Sequence, residues 1–234
     1  NLREAAGLEA VHRLISDADV VFTSYRPGVA DAIGVGYETL NEINPKLVYV
    51  AVSAFGDQGP LAPFPGTDPV VQAMSGVMSV TGEPAGGPNL VGVPIADFTG
   101  AMIGAQAAML GLFAREKTGK GQFIDVSMLY GLLSALTTRL ATHWVDDQDP
   151  GRHGSAHSVV VPYEAFKTSD GYVVAGVWGG AGGWEKFCGA LGKPDLANDD
   201  RYKTNQQRVE ARQELTEYLS EVFLTKTSNE WEES

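Results

Sequence analysis

Cysteine is almost missing: Cys188 stands alone among 234 residues. One thiol closes no intramolecular disulfide and builds no CxxC metal site, which fits a cytoplasmic enzyme better than a secreted scaffold. Basic residues are short, 17 Lys and Arg against 29 Asp and Glu, for a net charge of -12. That balance argues against nucleic acid as a partner, because phosphate binding needs a basic face. It leaves room for an anionic small ligand, since a few local cations outweigh a distant acidic surface. Long apolar runs are scarce too. The longest, 101–114, contains Gln106 and ends in Arg115-Glu116-Lys117. It falls short of the ~18–20 apolar residues of a bilayer span, so no membrane partner is expected. HExxH, GxSxG, GxGxxG and a Walker lysine are all lacking, which disfavours a metal site, a serine hydrolase and a nicotinamide-binding protein.

What the chain does have is a globular composition, 44% hydrophobic and 20% charged, with 28 glycines that favour tight turns over a plain helical bundle. Leu8, Val11, Leu14 and Ile15 recur at helical spacing. Val20-Val21-Phe22 reads as a short buried strand broken by Arg26-Pro27-Gly28. Residues 37–43 read as a helix stopped by Asn44-Pro45, and 47–55 as a second strand. Strand, helix, strand at this spacing predicts a parallel sheet with crossover helices. A Gly- and Pro-rich loop over 56–67 leads to a helix over 69–80. A long helix follows Asp97 to Lys117. It is apolar nearly all round and predicted to be buried, with Gly119 as its stop. Strand 122–126 and helix 129–143 come next.

The texture turns polar over 146–157, and a domain boundary is placed near residue 150. Beyond it, 163–167 and 172–177 flank Ser169-Asp170-Gly171 as a β-hairpin, followed by amphipathic helices over 184–191 and 209–223. The chain opens at Asn1 and closes in an unfinished helical pattern, so a segment of a longer protein is expected. The fold class is α/β: a Rossmann-like large domain with parallel sheet and flanking helices over 1–150, then the start of a smaller α+β domain over 151–234.

Few residues stand out for chemistry. His12 and His143 sit in helical patterns and read as structural or solvated, whereas His153 and His157 lie in a glycine-containing loop. The run Gly179-Gly180-Ala181-Gly182-Gly183 lies between a strand and a helix and reads as a turn or a substrate-facing loop. Asp97 begins the apolar helix among Ile95, Ala96 and Phe98. One reading makes it an N-cap whose oxygen accepts backbone N–H bonds. The other makes it a poorly solvated nucleophile whose ionised form the helix N-terminus favours, with Gly100 allowing close approach.

The ordered set of motifs resembles the family III coenzyme A transferases, the group of formyl-CoA transferase, related to α-methylacyl-CoA racemase. Residues 19–28 (DVVFTSYRPG), 44–49 (NPKLVY), 53–56 (SAFG) and 72–76 (QAMSG) carry the likeness, followed by Ala96-Asp97, 115–122 (REKTGKGQ), 125–128 (DVSM) and the hairpin from Val161-Pro162-Tyr163. The resemblance implies a CoA-transferase acting on an acyl-CoA and a small carboxylic acid, with Asp97 as the catalytic aspartate and coenzyme A as the ligand. It places CoA contacts at Arg3, Ser24, Tyr25, Arg26 and Met128, with Pro65 and Gly66 in a nearby loop. It further implies covalent catalysis with backbone N–H groups at the helix start stabilising an oxyanion, and an interlocked homodimer. Ser24 stands where many members have Asn, and Ala32 where formyl-CoA transferases have a basic residue. His153-Gly154-Ser155-Ala156-His157 replaces their glycine run, so oxalate or formate specificity is not implied. Thr67 occupies the position of the racemases' catalytic His. An epimerase or a non-catalytic CoA-binding subunit are the alternative readings.

Overall fold

The computed structural model describes every residue except Gly179, Ala181 and the side chain of Asp146. The chain divides into two compact units, residues 1–81 with 87–151, and residues 82–86 with 152–234.

The first unit begins with α1 (Ala5–Ile15), β1 (Val20–Thr23), α2 (Val29–Ala32), α3 (Tyr37–Ile43) and β2 (Val48–Ser53). It continues through α4 (Asp68–Ser75), α5 (Val77–Val80), α6 (Ile95–Thr118), β3 (Gln122–Ser127), α7 (Met128–Ala135) and α8 (Thr137–Asp146). The strands pair in the order β1-β2-β3, all parallel, with Val20 opposite Val48 and Val48 opposite Gln122. Alternation along β2 sorts the layers. Val48 and Val50 join Ala108 and Val126 on the α6 face, while Tyr49 joins Ile15, Val35 and Leu40 on the face covered by α1 and α3. In α1, Leu8, Val11 and Ile15 pack inward, whereas Leu14, predicted on the same face, points to solvent.

Two predicted helices are each broken in two. Gly76, at φ 85°, separates α4 from α5, a left-handed turn that suits glycine. Leu136 interrupts the stretch from α7 to α8.

Helix α6 departs further from expectation. At 24 residues, with an 18-residue window of mean hydropathy 1.3, it is long and apolar enough to cross a membrane by length and composition. The apolar run expected over 101–114 is shorter than that helix. It is also not buried all round. Gly100, Gly104, Ala108 and Gly111 form the buried stripe, and Phe98, Met109, Leu110 and Phe113 are exposed. The stripe exists because the helix lies almost on the strands. A β-carbon on Gly111 would sit 2.6 Å from Val48 Cγ1, and one on Gly104 would sit 3.3 Å from Phe22 and Val52. The order of these contacts runs α6 antiparallel to β2, so its first turn stands at the carboxyl ends of the strands.

Several motifs that carry the family likeness serve this scaffold. Asn44 donates from Nδ2 to the carbonyls of Ile15 and Ala18 and accepts from Lys46 N, tying two loops together. Arg115 reaches Asp19 at 2.7 Å and Lys46 O at 3.1 Å.

The second unit contains β4 (Tyr163–Lys167), β5 (Tyr172–Gly176), α9 (Gly183–Ala190), α10 (Asn205–Glu210), α11 (Arg212–Phe223) and α12 (Ser228–Glu232), with a 3-10 turn at Pro194–Asn198. β4 and β5 form the antiparallel hairpin. Its core gathers Phe166, Trp184, Cys188, Leu215, Leu219 and Phe223. Helices α10 and α11 replace the single predicted helix, and Thr204 with Gln207 closes a capping box on α10. His157 accepts from Val159 N and Val160 N through Nδ1 and stacks on Tyr163, so it braces a turn. Of the glycine-rich run, Gly179 and Ala181 lie outside the described residues, and Gly182 precedes α9 with φ 82°.

Candidate active site

Open α/β sheets bind ligands outside the carboxyl ends of their strands. In the first unit that edge carries two neighbouring cavities that share Thr23 and Ser53. The one on the α6 face, about 560 Å³, takes Ser24 from the end of β1, Ser53 and Ala54 from the end of β2, Gly66, Thr67 and Asp68 before and at the start of α4, Asp97 from the first turn of α6, and Met128 at the start of α7.

The start of α6 decides what Asp97 does. Pro94 occupies the N-cap position and makes no side-chain cap. Asp97 therefore sits three residues into the helix, not at the cap. A carboxylate at that position usually reaches back to the N-cap N–H, but proline has none. The capping comes from elsewhere in the chain. Asp68 Oδ2 accepts from Ala96 N at 2.7 Å and from Asp97 N at 3.2 Å. Ile95 N donates to Val93 O, and Phe98 N to Pro94 O. All four opening amides are engaged, so the predicted helix-start oxyanion hole is overturned. Asp97 itself is exposed and faces the cavity, contrary to the poorly solvated carboxylate expected from its apolar neighbours.

The other predicted contacts fall in different places. Ser24, Gly66 and Met128 line the cavity with Asp97. Gly66 has no room for a side chain, because a β-carbon there would lie 2.4 Å from that of Ala54. Tyr25 and Arg26 line the second cavity, on the other face of the sheet, with Tyr37, Tyr49, Phe123, Asp57 and Asp125. Arg3 is exposed near the chain start and lines neither cavity, and neither does the exposed Pro65. His12 donates from Nε2 to Gly34 O, 2.8 Å away, as a structural contact. Asp68 was not among the sequence candidates. The signal was present in Thr67-Asp68-Pro69, an acidic residue beside a helix-starting proline.

In the second cavity Asp57 N donates to Asp125 Oδ2 at 3.0 Å. Burial, and then the neighbouring Asp57 carboxylate, push the Asp125 carboxyl above its ordinary value, against the Asp57 N–H that lowers it. A raised folded value favours the protonated form, so the contribution to stability is present at low pH and fades as pH rises above about 4. Asp125→Asn, which keeps an acceptor for Asp57 N, is therefore expected to be slightly more stable than the parent at pH 7. The gain is under about 1 kcal/mol, because solvent screens the pair. Urea melts at pH 4 and pH 7 check it, and a larger gain at pH 4 would refute the sign.

The sequence model for CoA-transferase family III matches residues 1–234. The chain is 37% identical to human succinyl-CoA:glutarate CoA-transferase, over 99% of this chain and 52% of that protein. It is 35% identical to acetyl-CoA:oxalate CoA-transferase of Acetobacter aceti, over 99% of this chain and 59% of that protein. The fold matches the crystal structure of a CAIB/BAIF family protein from Brucella suis with a TM-score of 0.83 and 36% identity, covering 98% of this chain and 60% of that one. The chain thus spans about half to three fifths of these relatives. Sequence and fold agree, and the chain belongs to CoA-transferase family III.

Proposed function

We propose that the protein moves coenzyme A from an acyl-CoA donor to a carboxylic acid acceptor through covalent intermediates on Asp97. The observation that carries this reading is the placement of Asp97: an accessible carboxylate in a cavity at the strand ends, with no backbone amide at its helix start left to bind it. The relatives' names, which pair succinyl-CoA with glutarate and acetyl-CoA with oxalate, support a small carboxylic acid as the acceptor class.

A carboxylate oxygen of Asp97 attacks the thioester carbonyl of the donor. The C–S bond breaks, CoA leaves as thiolate, and an acyl-aspartyl anhydride remains. The thiolate then attacks the aspartyl carbonyl, releasing the donor acid as carboxylate and leaving an aspartyl-CoA thioester. The acceptor carboxylate attacks that thioester, displacing the thiolate and forming a second anhydride. Attack of the thiolate on the acceptor carbonyl yields the new acyl-CoA and restores Asp97. No net proton is consumed, which suits a cavity wall without a titrating histidine. Ser24 and Thr67 supply hydroxyls on that wall. Met128 offers an apolar contact for the pantetheine arm, Gly66 lets the loop before α4 pack against Ala54 on the cavity wall, and Tyr25 and Arg26 suit the nucleotide end. Pro65 and Arg3 are assigned to the CoA site by resemblance alone.

Epimerisation is not favoured, because Thr67 supplies no second base beside Asp97. The exposed apolar side of α6 supports a homodimer in which a second copy covers it. The shortage of cysteine supports a cytoplasmic setting.

The test is to incubate full-length protein with a panel of acyl-CoAs, quench, and map the modified residue by mass spectrometry. Hydroxylamine-sensitive mass on the peptide holding Asp97 is expected. Turnover with no adduct on that peptide, with any donor, removes the covalent mechanism.

A further inference from the structure

The start of α6 is held by two buried polar side chains from α4, a helix that takes no part in the chemistry outlined above. Asp68 is 8% exposed and Gln72 is 1% exposed. Asp68 Oδ2 binds the amides of Ala96 and Asp97, and its Oδ1 accepts from Gln72 Nε2 at 2.6 Å. Gln72 Oε1 in turn accepts from Val91 N at 2.9 Å, and Nε2 also approaches Val93 O at 3.5 Å. One relay thus grips the chain on both sides of Pro94, from Val91 to Asp97.

We infer that Asp68 is a positioning residue for Asp97, with Gln72 as its support. This inference rests on the proposed role of Asp97 as nucleophile. The physical reason is a competition for donors. Opening amides of a helix without intrahelical partners bind the nearest carboxylate. Without Asp68, the nearest one is Asp97 itself, within the same turn. A carboxylate folded onto its own helix start has its lone pairs occupied and its direction changed. With Asp68 in place the amides of residues 96 and 97 are already bonded, and the Asp97 carboxylate faces the cavity. The device also explains why a second carboxylate lines the same cavity without being a second nucleophile. Both of its oxygens are committed, and the side chain is buried.

The experiment compares full-length Asp68→Ala, Asp68→Asn, Gln72→Leu and Asp97→Ala proteins. It measures the single-turnover rate of acyl-enzyme formation, kcat, KM for the acyl-CoA, and the fraction of sites able to bind CoA. Asp68→Ala is expected to slow acyl-enzyme formation and kcat about a hundredfold per CoA-binding site, with KM within about threefold, the size of effect that misplacement of a reacting group by about 1 Å produces. Asp68→Asn retains a carbonyl oxygen for the two amides and is expected to recover to within about tenfold of the parent. Gln72→Leu is expected to fall between the two. A purely structural role would reduce the fraction of binding sites and leave the rate per site unchanged. Parent-like rates per site in Asp68→Ala would overturn the inference. If that variant does not fold, the comparison rests on Asp68→Asn and Gln72→Leu, and parent-like rates per site in Gln72→Leu would overturn it. Acyl-enzyme formation surviving in Asp97→Ala would instead sink the proposed nucleophile, so the two failures are distinguishable.

Discussion

Asp97→Ala in the full-length protein is expected to lower kcat for CoA transfer about 10⁴-fold or more, because the reaction loses the atom that forms the bond. Coenzyme A affinity should stay within about threefold, since the side chain removed is one carboxylate on the cavity rim and the fold around it is held by other groups. The combination is informative. A merely structural residue would lower binding and turnover together, and a capping residue would lower stability by about 1 kcal/mol. Asp97 caps nothing: the helix N-terminus is satisfied by Asp68 and by neighbouring carbonyls. Its removal should leave the melting temperature almost unchanged. Steady-state assays with a donor and acceptor pair that supports parent turnover decide the matter. Retention of more than about a tenth of the activity would show that another group carries the acyl chain.

The second large effect belongs to the glycine stripe of α6. Gly111→Val is expected to cost about 3 kcal/mol, the upper part of the range for overpacking a filled core. The β-carbon alone would lie 2.6 Å from Val48 Cγ1 and 3.1 Å from Ile124 Cδ1, and both belong to strands that cannot withdraw without breaking the sheet register. Valine recovers only a few tenths of a kcal/mol of helix propensity over glycine. The corresponding fall in melting temperature is roughly 6–12 °C for a chain of this size. Ala105→Val, on the exposed side of the same helix, is the control, with a cost of about 0.6 kcal/mol from propensity alone. Equal losses at the two sites would mean that α6 does not lie against β2 as described. Because the same helix carries Asp97 at its first turn, the Gly111 variant should also lose turnover, although the substitution is at the far end of the sheet.

The scaffold was readable at the level of elements. Strands over 20–22, 47–55 and 122–126 and the helices between them follow from β-branched runs, helical spacing and the stops at Asn44-Pro45 and Gly119. The breaks were less visible. Gly76 could as well have sat inside a continuous helix, and its left-handed φ depends on where α4 and α5 pack. The exposed side of α6 is hidden from the sequence for a related reason. Periodicity marks a face only when polar residues mark the opposite one. In α6 the packed face is the small one and the bulky apolar side chains point outward. Arg115 and Asn44 read as family markers, and their hydrogen bonds across loops show a structural use that spacing does not reveal.

The likeness to family III singled out Asp97 as the nucleophile. The chain's own order of residues determined the parallel α/β layout, the acidic and nearly cysteine-free character, and the presence of a carboxylate at the start of an apolar helix. Those features are local, set by propensity, pattern and composition, and they need no knowledge of what lies across the sheet. The tertiary structure decided how Asp97 stands. It brought Asp68, 29 residues earlier, onto the amides of the same turn, placed Ser24, Gly66 and Met128 around one cavity, and put Tyr25 and Arg26 in the next. The physical reason is that a helix start must bond its amides to something, and which carboxylate does so depends on distances in space that the spacing along the chain does not contain.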